Sequence, residues 1–149
     1  MKISIASDHG GLGLKDEIVK YFEEKCIEYI DFGTNTKESC DYPDFAYKAA
    51  LAVKNNEVDY GIVVCTTGIG VSIVANKVRN IRCALVTNIF QASLTKEHNN
   101  TNMLALGSKL TSVKESLEII DTWLNAKFEG GRHLTRVNKI KEIEETENE

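Results

Sequence analysis

A three-layer α/β domain with a mostly parallel five-stranded sheet is the fold this sequence predicts. Three observations carry the prediction. Apolar runs and amphipathic stretches alternate along the chain in the order βαβαβαβαβα. The run YGIVVC at 60–65 is apolar on both faces, as the centre of a parallel sheet must be. Glycines close several of the runs, at Gly10-Gly11, Gly33, Gly68 and Gly107, and so punctuate the pattern without breaking it.

The elements follow in order. Residues 2–6 (KISIA) form a first strand that stops at Ser7-Asp8-His9-Gly10-Gly11. Residues 14–25 place Leu14, Ile18, Tyr21 and Phe22 at helical spacing. Residues 27–31 give a second strand, and 34–43 a polar loop holding the only proline, Pro43. A helix over 44–54 takes Asp44 as its cap. The strand 60–65 precedes a helix over 69–77, and RCALVT at 82–87 is the fourth strand. Helical positions resume over 90–98, and the polar run 96–102, which includes His98 and Asn99, leads into the next strand. A short strand at 103–106 ends at Gly107. Residues 112–126 have a strong helical period, with Ser112 and Glu115 in a capping-box pattern. After Gly130-Gly131 comes an extra C-terminal helix, 133–145, inside a charged tail that begins near 139. We expect one domain over 1–149, with no internal repeat.

Composition narrows the function classes. There are 18 basic and 22 acidic residues, a net charge of −4. That balance argues against capture of nucleic acid or an anionic membrane. No apolar run reaches spanning length, and MKISIASDHGG turns polar too soon for a secretory signal. A cytoplasmic location is expected. Cys26, Cys40, Cys65 and Cys83 show neither CxxC nor zinc-finger spacing and are expected to be thiols.

Ligands of such folds sit outside the carboxyl ends of the strands. Three segments there hold chemically useful residues: Ser7–Gly11, Cys65-Thr66-Thr67-Gly68-Ile69-Gly70, and Thr87-Asn88. Gly68 and Gly70 sit where a strand turns into a helix. The amides of that helix start suit a phosphate or a developing oxyanion, and a tight structural turn is the plain alternative. Neither GxGxxG nor GxxxxGK[ST] is present, so a nucleotide site is weakly supported. Cys65 is either core or a thiol activated beside a helix N-terminus. His98 and His9 are candidates for acid–base work. Asp8, His9 and His98 are ligand types, but no spacing identifies a metal site and none is expected. Arg132, His133 and Arg136 form a compact basic patch, and Arg132 and Arg136, four apart, share a helix face suited to phosphate.

The motifs SDHGG at 7–11, DYPDFA at 41–46, CTTGIG at 65–70, ANK at 75–77, EHNNTNMLALG at 97–107 and WLNAKFEGGRHLTRV at 123–137 together resemble the ribose-5-phosphate isomerase B family, which also contains the galactose-6-phosphate isomerase subunits. The resemblance covers nearly the whole chain. It implies a Rossmann-like sandwich without a nucleotide, no cofactor and no metal. It implies a homo-oligomer, a dimer or a dimer of dimers, with active sites at the subunit interface. The implied reaction interconverts ribose 5-phosphate and ribulose 5-phosphate through ring opening and an enediolate.

Carried over by position, the resemblance makes Cys65 the proton-transfer base. Thr67 and the amides of Thr66, Gly68, Ile69 and Gly70 hold the enediolate oxygen. His98 assists ring opening, Asn99 contacts the sugar, and Asp8 orients it. His9, Arg132 and Arg136 bind the phosphate. Lys109 stands where many relatives have a phosphate-facing arginine, and Asp41 and Tyr42 line the mouth. Thr66 replaces the usual glycine, and its side chain is expected to point away from the ligand. Some relatives use a glutamate near position 72 as base; Cys65 indicates the cysteine version here. The readings left open are a galactose- or allose-6-phosphate isomerase, a non-enzymatic phosphosugar-binding module, and a thiol redox protein, which lacks a nearby resolving cysteine in sequence.

Overall fold

The computed structural model describes residues 1–148. Five parallel strands form one sheet in the order β2-β1-β3-β5-β4. They are β1 (Lys2–Ser7), β2 (Glu28–Asp31), β3 (Tyr60–Cys65), β4 (Cys83–Leu85) and β5 (Met103–Gly107). The helices are α1 (Leu12–Glu24), α2 (Tyr42–Lys54), α3 (Ile69–Asn76), α4 (Ile89–Asn99), α5 (Val113–Asn125) and α6 (Arg132–Glu147). A short 3-10 turn, His9–Gly11, joins β1 to α1. The sheet, the alternation and the extra C-terminal helix match the expected Rossmann-like sandwich. No helix among the described residues is long and apolar enough to cross a membrane.

The two faces of the sheet carry different cores. On one, Ala6, Val63 and Ala105 meet the small side chains Ala46, Ala49 and Ala50 of α2 and Val71 and Ala75 of α3. Small residues let these helices lie close, and Ser4 Oγ donates to Ala49 O at 2.9 Å. The other face is bulkier: Ile3, Ile5, Ile62, Val64, Leu104 and Leu106 meet Ile18 and Phe22 of α1 and Ile119, Ile120 and Trp123 of α5. Trp123 is fully buried and its indole donates to Thr101 Oγ1 at 3.0 Å. Truncating such a residue to alanine costs about 3–5 kcal/mol.

Several boundaries differ from expectation for physical reasons. The α2 helix starts at Tyr42, with Asp41 at the cap position and Asp44 inside the first turn. Pro43 occupies an early helical position, where the amide it lacks has no partner to lose. Strand β4 shrinks to Cys83–Leu85 because it is an edge strand, half-buried along its length. The α4 helix continues one residue past the expected positions, through His98 to Asn99, and closes on Asn100 in the left-handed region (φ 47°). The capping box of Ser112 and Glu115 forms as expected. The α6 helix extends to Glu147, and the Glu144 carboxylate accepts from the Asn80 amide at 2.9 Å.

Candidate active site

The chain reverses its direction across the sheet between β1 and β3, and the carboxyl ends of those strands form the crevice where such folds bind ligands. Ser7 pairs with Val64, which sets Asp8 beside Cys65. Cys65 ends β3 and is buried, and the Gly68 amide donates to its Sγ at 3.1 Å. Gly68 adopts φ +77°, and a Cβ there would lie 2.5 Å from Leu85 Cδ1. Only glycine turns the chain here without strain.

The rest of the loop is aimed in the same direction. Thr67 is exposed, and its Oγ1 accepts from the Ile69 amide at 3.2 Å, leaving the hydroxyl hydrogen free to donate elsewhere. The amides of Gly70 and Val71 have no partner among the described residues. They stand at the positive end of α3. Tyr42 lies over Gly70 so closely that a Cβ on the glycine would sit 2.6 Å from Tyr42 Cζ. Asp41 and Tyr42 therefore flank this loop, both exposed.

Asp8 is buried and its Oδ1 caps the 3-10 turn by accepting from the Gly11 amide at 3.0 Å. His9 is exposed, and its Nδ1 accepts from the Cys40 amide at 3.2 Å. With Nδ1 accepting, the neutral ring carries its hydrogen on Nε2, ready to donate. Thr66 is half-buried, and its Oγ1 packs directly against the α-carbon of Gly10. Lys109 is exposed, and its amide donates to Thr66 O at 3.0 Å, so it belongs to this end too.

A second group lies at the other end of the sheet. His98 and Asn99 are in the last turn of α4, just before β5 begins. Arg82, which precedes β4, donates to Asn99 O and Asn100 O at 3.0 and 3.1 Å and ties that helix end to the strand starts. His133, in the first turn of α6, stacks on His98 with ring centroids 4.2 Å apart and planes 9° from parallel. Glu129 sits between them, with one carboxylate oxygen 3.9 Å from His98 Nε2 and the other 3.5 Å from His133 Nε2. The Glu129 amide donates to Glu97 O at 3.0 Å, which holds this loop against α4. Arg132 and Arg136 are exposed beside His133, and neither forms an ion pair among the described residues.

One strand length separates the two groups. Cys65 pairs with Gly107 at the far end of β5, and His98 precedes Met103 at its near end. Five parallel residues span about 13 Å. In one chain, then, Cys65, Asp8, His9, Tyr42 and Lys109 stand at one end, and His98, Asn99, Arg132 and Arg136 at the other. Asp8, His9 and His98 do not meet, which removes that trio as a metal site within one chain. Two grooves touch neither Cys65 nor His9; one, of about 680 Å³, runs between Arg82 and α6, and the other, of about 910 Å³, is lined by Phe45 and Tyr47.

His98, Glu129 and His133 bring imidazole and carboxylate atoms within 4.8 Å of one another. The rings are nearly parallel, so their lone pairs run side by side in separate planes and do not converge on one point, as metal binding requires. Burial pushes the His133 imidazole below its ordinary pKa, and neighbouring His98 and Arg132 add to that. The sequence singles out His133 only as part of a basic patch and does not reveal Glu129. The available signal is the four-residue spacing from Glu129 to His133, obscured by Gly130 and Gly131 between them.

Comparison with known proteins identifies the family. The family model described as Ribose/Galactose Isomerase matches residues 3–140. Ribose-5-phosphate isomerase B of Escherichia coli is 46% identical over 147 residues, covering 99% of each chain. The structure of Clostridium thermocellum ribose-5-phosphate isomerase B matches with a TM-score of 0.97 at 55% identity, covering 98% of this chain and 99% of that one. The Mycoplasma genitalium ribose-5-phosphate isomerase B, solved with bound ribulose 5-phosphate, matches at TM-score 0.92 and 43% identity, covering 97% and 96%. With the family model matching nearly the whole chain, and relatives about half identical over nearly its full length, the protein belongs to the Ribose/Galactose Isomerase family, close to ribose-5-phosphate isomerase B.

Proposed function

We propose that this protein interconverts D-ribose 5-phosphate and D-ribulose 5-phosphate, with Cys65 moving the proton between C1 and C2. The observation that carries the reading is the Gly68 amide on Cys65 Sγ, beside the unpaired amides of Gly70 and Val71. A thiolate takes the proton next to the carbonyl. The charge that moves onto oxygen meets Thr67 and those amides where it develops. The same thiol then returns the proton to the neighbouring carbon. The phosphate does not react; its contacts hold the reacting end in place.

The group at the other end of the sheet completes the site from a second copy of the chain. His98 of one copy opens the furanose above Cys65 of the other, and Asn99 holds the sugar oxygens. Arg132 and Arg136 of the first copy close on a phosphate that His9 and Lys109 of the second approach from the opposite side. A two-fold dimer makes two such sites, since each chain offers both halves. Exposed Ile69 and Ile73 on α3 and Leu134 on α6, one on each side of the split, support burial against another chain.

The test is turnover of ribose 5-phosphate by the purified protein, without added metal, in D2O. Deuterium at C2 of the aldose and C1 of the ketose is the expected result. Inert pentose with active galactose 6-phosphate or allose 6-phosphate would assign the hexose reaction. No exchange with any of the three would leave a phosphosugar-binding module.

A further inference from the structure

His133 stands out among groups that the proposed reaction leaves unused. It is 8% exposed, and its Nε2 is buried with no hydrogen-bond partner. It stacks on the imidazole assigned to ring opening and faces a carboxylate that also faces that imidazole. A buried polar atom left in this position is costly unless the site uses it.

The charges around the pair define what that use is. Glu129 comes from the connecting loop, and Arg132 and Arg136 come from α6. On α4 the neighbouring charges are turned away. Lys96 Nζ lies 3.8 Å from the Tyr60 ring centroid and 4.3 Å from that of Trp123, and Glu97 accepts from Ser93 Oγ at 2.5 Å. Two stacked imidazoles 4.2 Å apart cannot both be cationic at low cost, least of all beside two guanidinium groups. One carboxylate compensates one proton.

We propose that Glu129 and His133 are positioning residues for His98, and that the three share one proton which a phosphate dianion draws in by docking on Arg132 and Arg136. Resting on the phosphate role of those arginines, this gives the substrate a way to prepare its own acid. The dianion cancels the arginine field, the imidazole pair takes a proton from solvent, and Glu129 holds it. His98 passes that proton to the ring oxygen, the bond from that oxygen to C1 breaks, and the C1 hydroxyl gives its own proton to solvent water as the aldehyde forms. In the empty site His133 stays neutral and the protein avoids a buried, unpaired cation.

Sulfate is a suitable probe because it stays a dianion through the neutral range and does not titrate. The His98 and His133 ring protons are followed by NMR against pH, with and without saturating sulfate. The His133 midpoint should rise by about one pH unit, a tenfold gain in proton affinity, and the rise should vanish in Arg132→Ala/Arg136→Ala. Competitive inhibition of turnover reports sulfate binding independently. Bound sulfate with fixed midpoints overturns this proposal alone. Sulfate that never competes overturns it together with the phosphate role of the arginines.

Glu129→Gln and His133→Phe, which keeps the ring stack, provide the second reading. Each should slow ribose 5-phosphate turnover about tenfold and move its pH profile. Solvent exchange at C1 of ribulose 5-phosphate, which is already open, should stay near wild type, and Glu129→Asp should restore part of the turnover. Equal losses in both reactions with an unmoved pH profile would mean a structural role and overturn the proposal.

Discussion

The two ends of the sheet are built from different materials. At the carboxyl end the candidate functional atoms are mostly backbone amides and one buried sulfur, fixed by Gly68, by Gly70 under Tyr42, and by Asp8 capping its own turn. At the amino end they are side chains on helix surfaces: His98 and His133 stacked, Glu129 between them, and Arg132 and Arg136 in solvent. The first is a preorganised cradle suited to charge that appears only in the transition state. The second is a set of movable charges suited to a group that arrives already charged. An isomerase of a cyclic sugar phosphate needs both.

The comparison breaks most readily at the cradle. Cys65→Ala should lower turnover by about 10²–10⁴-fold, as loss of a proton-transfer group does, while sugar phosphate affinity measured calorimetrically stays close to wild type. Near-normal turnover in the folded variant would end the base assignment. Mixing is the next largest effect. Cys65→Ala and His98→Asn chains, each inactive, should regain up to about a quarter of wild-type activity after subunit exchange, because half the dimers are mixed and each carries one intact site. A mixture that stays inactive despite exchange would put both groups in one chain's site.

A smaller effect belongs to the movable charges. Arg136→Ala should raise KM about tenfold, roughly the worth of one charge-assisted contact, with kcat changed less. An unchanged KM would detach the arginine from the phosphate. The smallest effect concerns what holds the His98 helix in place. Lys96 is buried between Tyr60 and Trp123, and burial pushes its pKa from 10.5 down to about 8. Between those values the unfolded chain binds more protons than the folded one, so this lysine makes stability rise from pH 8 towards 10. Urea midpoints at pH 7.5 and 10 should show that rise in the parent and lose it in Lys96→Met. Above pH 10, Tyr21, pushed up to about 12 by burial and by Asp121, works in the opposite direction.

How much of this is legible in the sequence differs between the ends. The carboxyl end reads well because it follows strand punctuation. YGIVVC is β3 to the residue, and the glycines after it mark the turn. The amino end reads poorly because its residues sit at helix termini, where polar composition imitates a loop; for that reason the pattern leaves His98 at the edge of the helix and Asn99 outside it. Once they are helical, their distance from Cys65 follows from topology, since a helix returning to a parallel sheet ends where the strands begin. Glu129 leaves no such trace, because its partnership with His98 crosses between α4 and the loop before α6. The orientation of Thr66 depends on a tertiary contact, with Gly10, that no local pattern encodes.

That last contact constrains how the chain can change. A Cβ at position 10 would lie 2.3 Å from Thr66 Oγ1, so a side chain there forces the threonine to turn away from its present position. The two sites, 56 residues apart, are therefore coupled: a substitution at 10 costs less once 66 has shrunk. A mutational scan in this background would score Gly10 as intolerant, and the same scan with glycine at 66 would find substitutions there that fold. The strand-end loops thus set part of each other's freedom to vary.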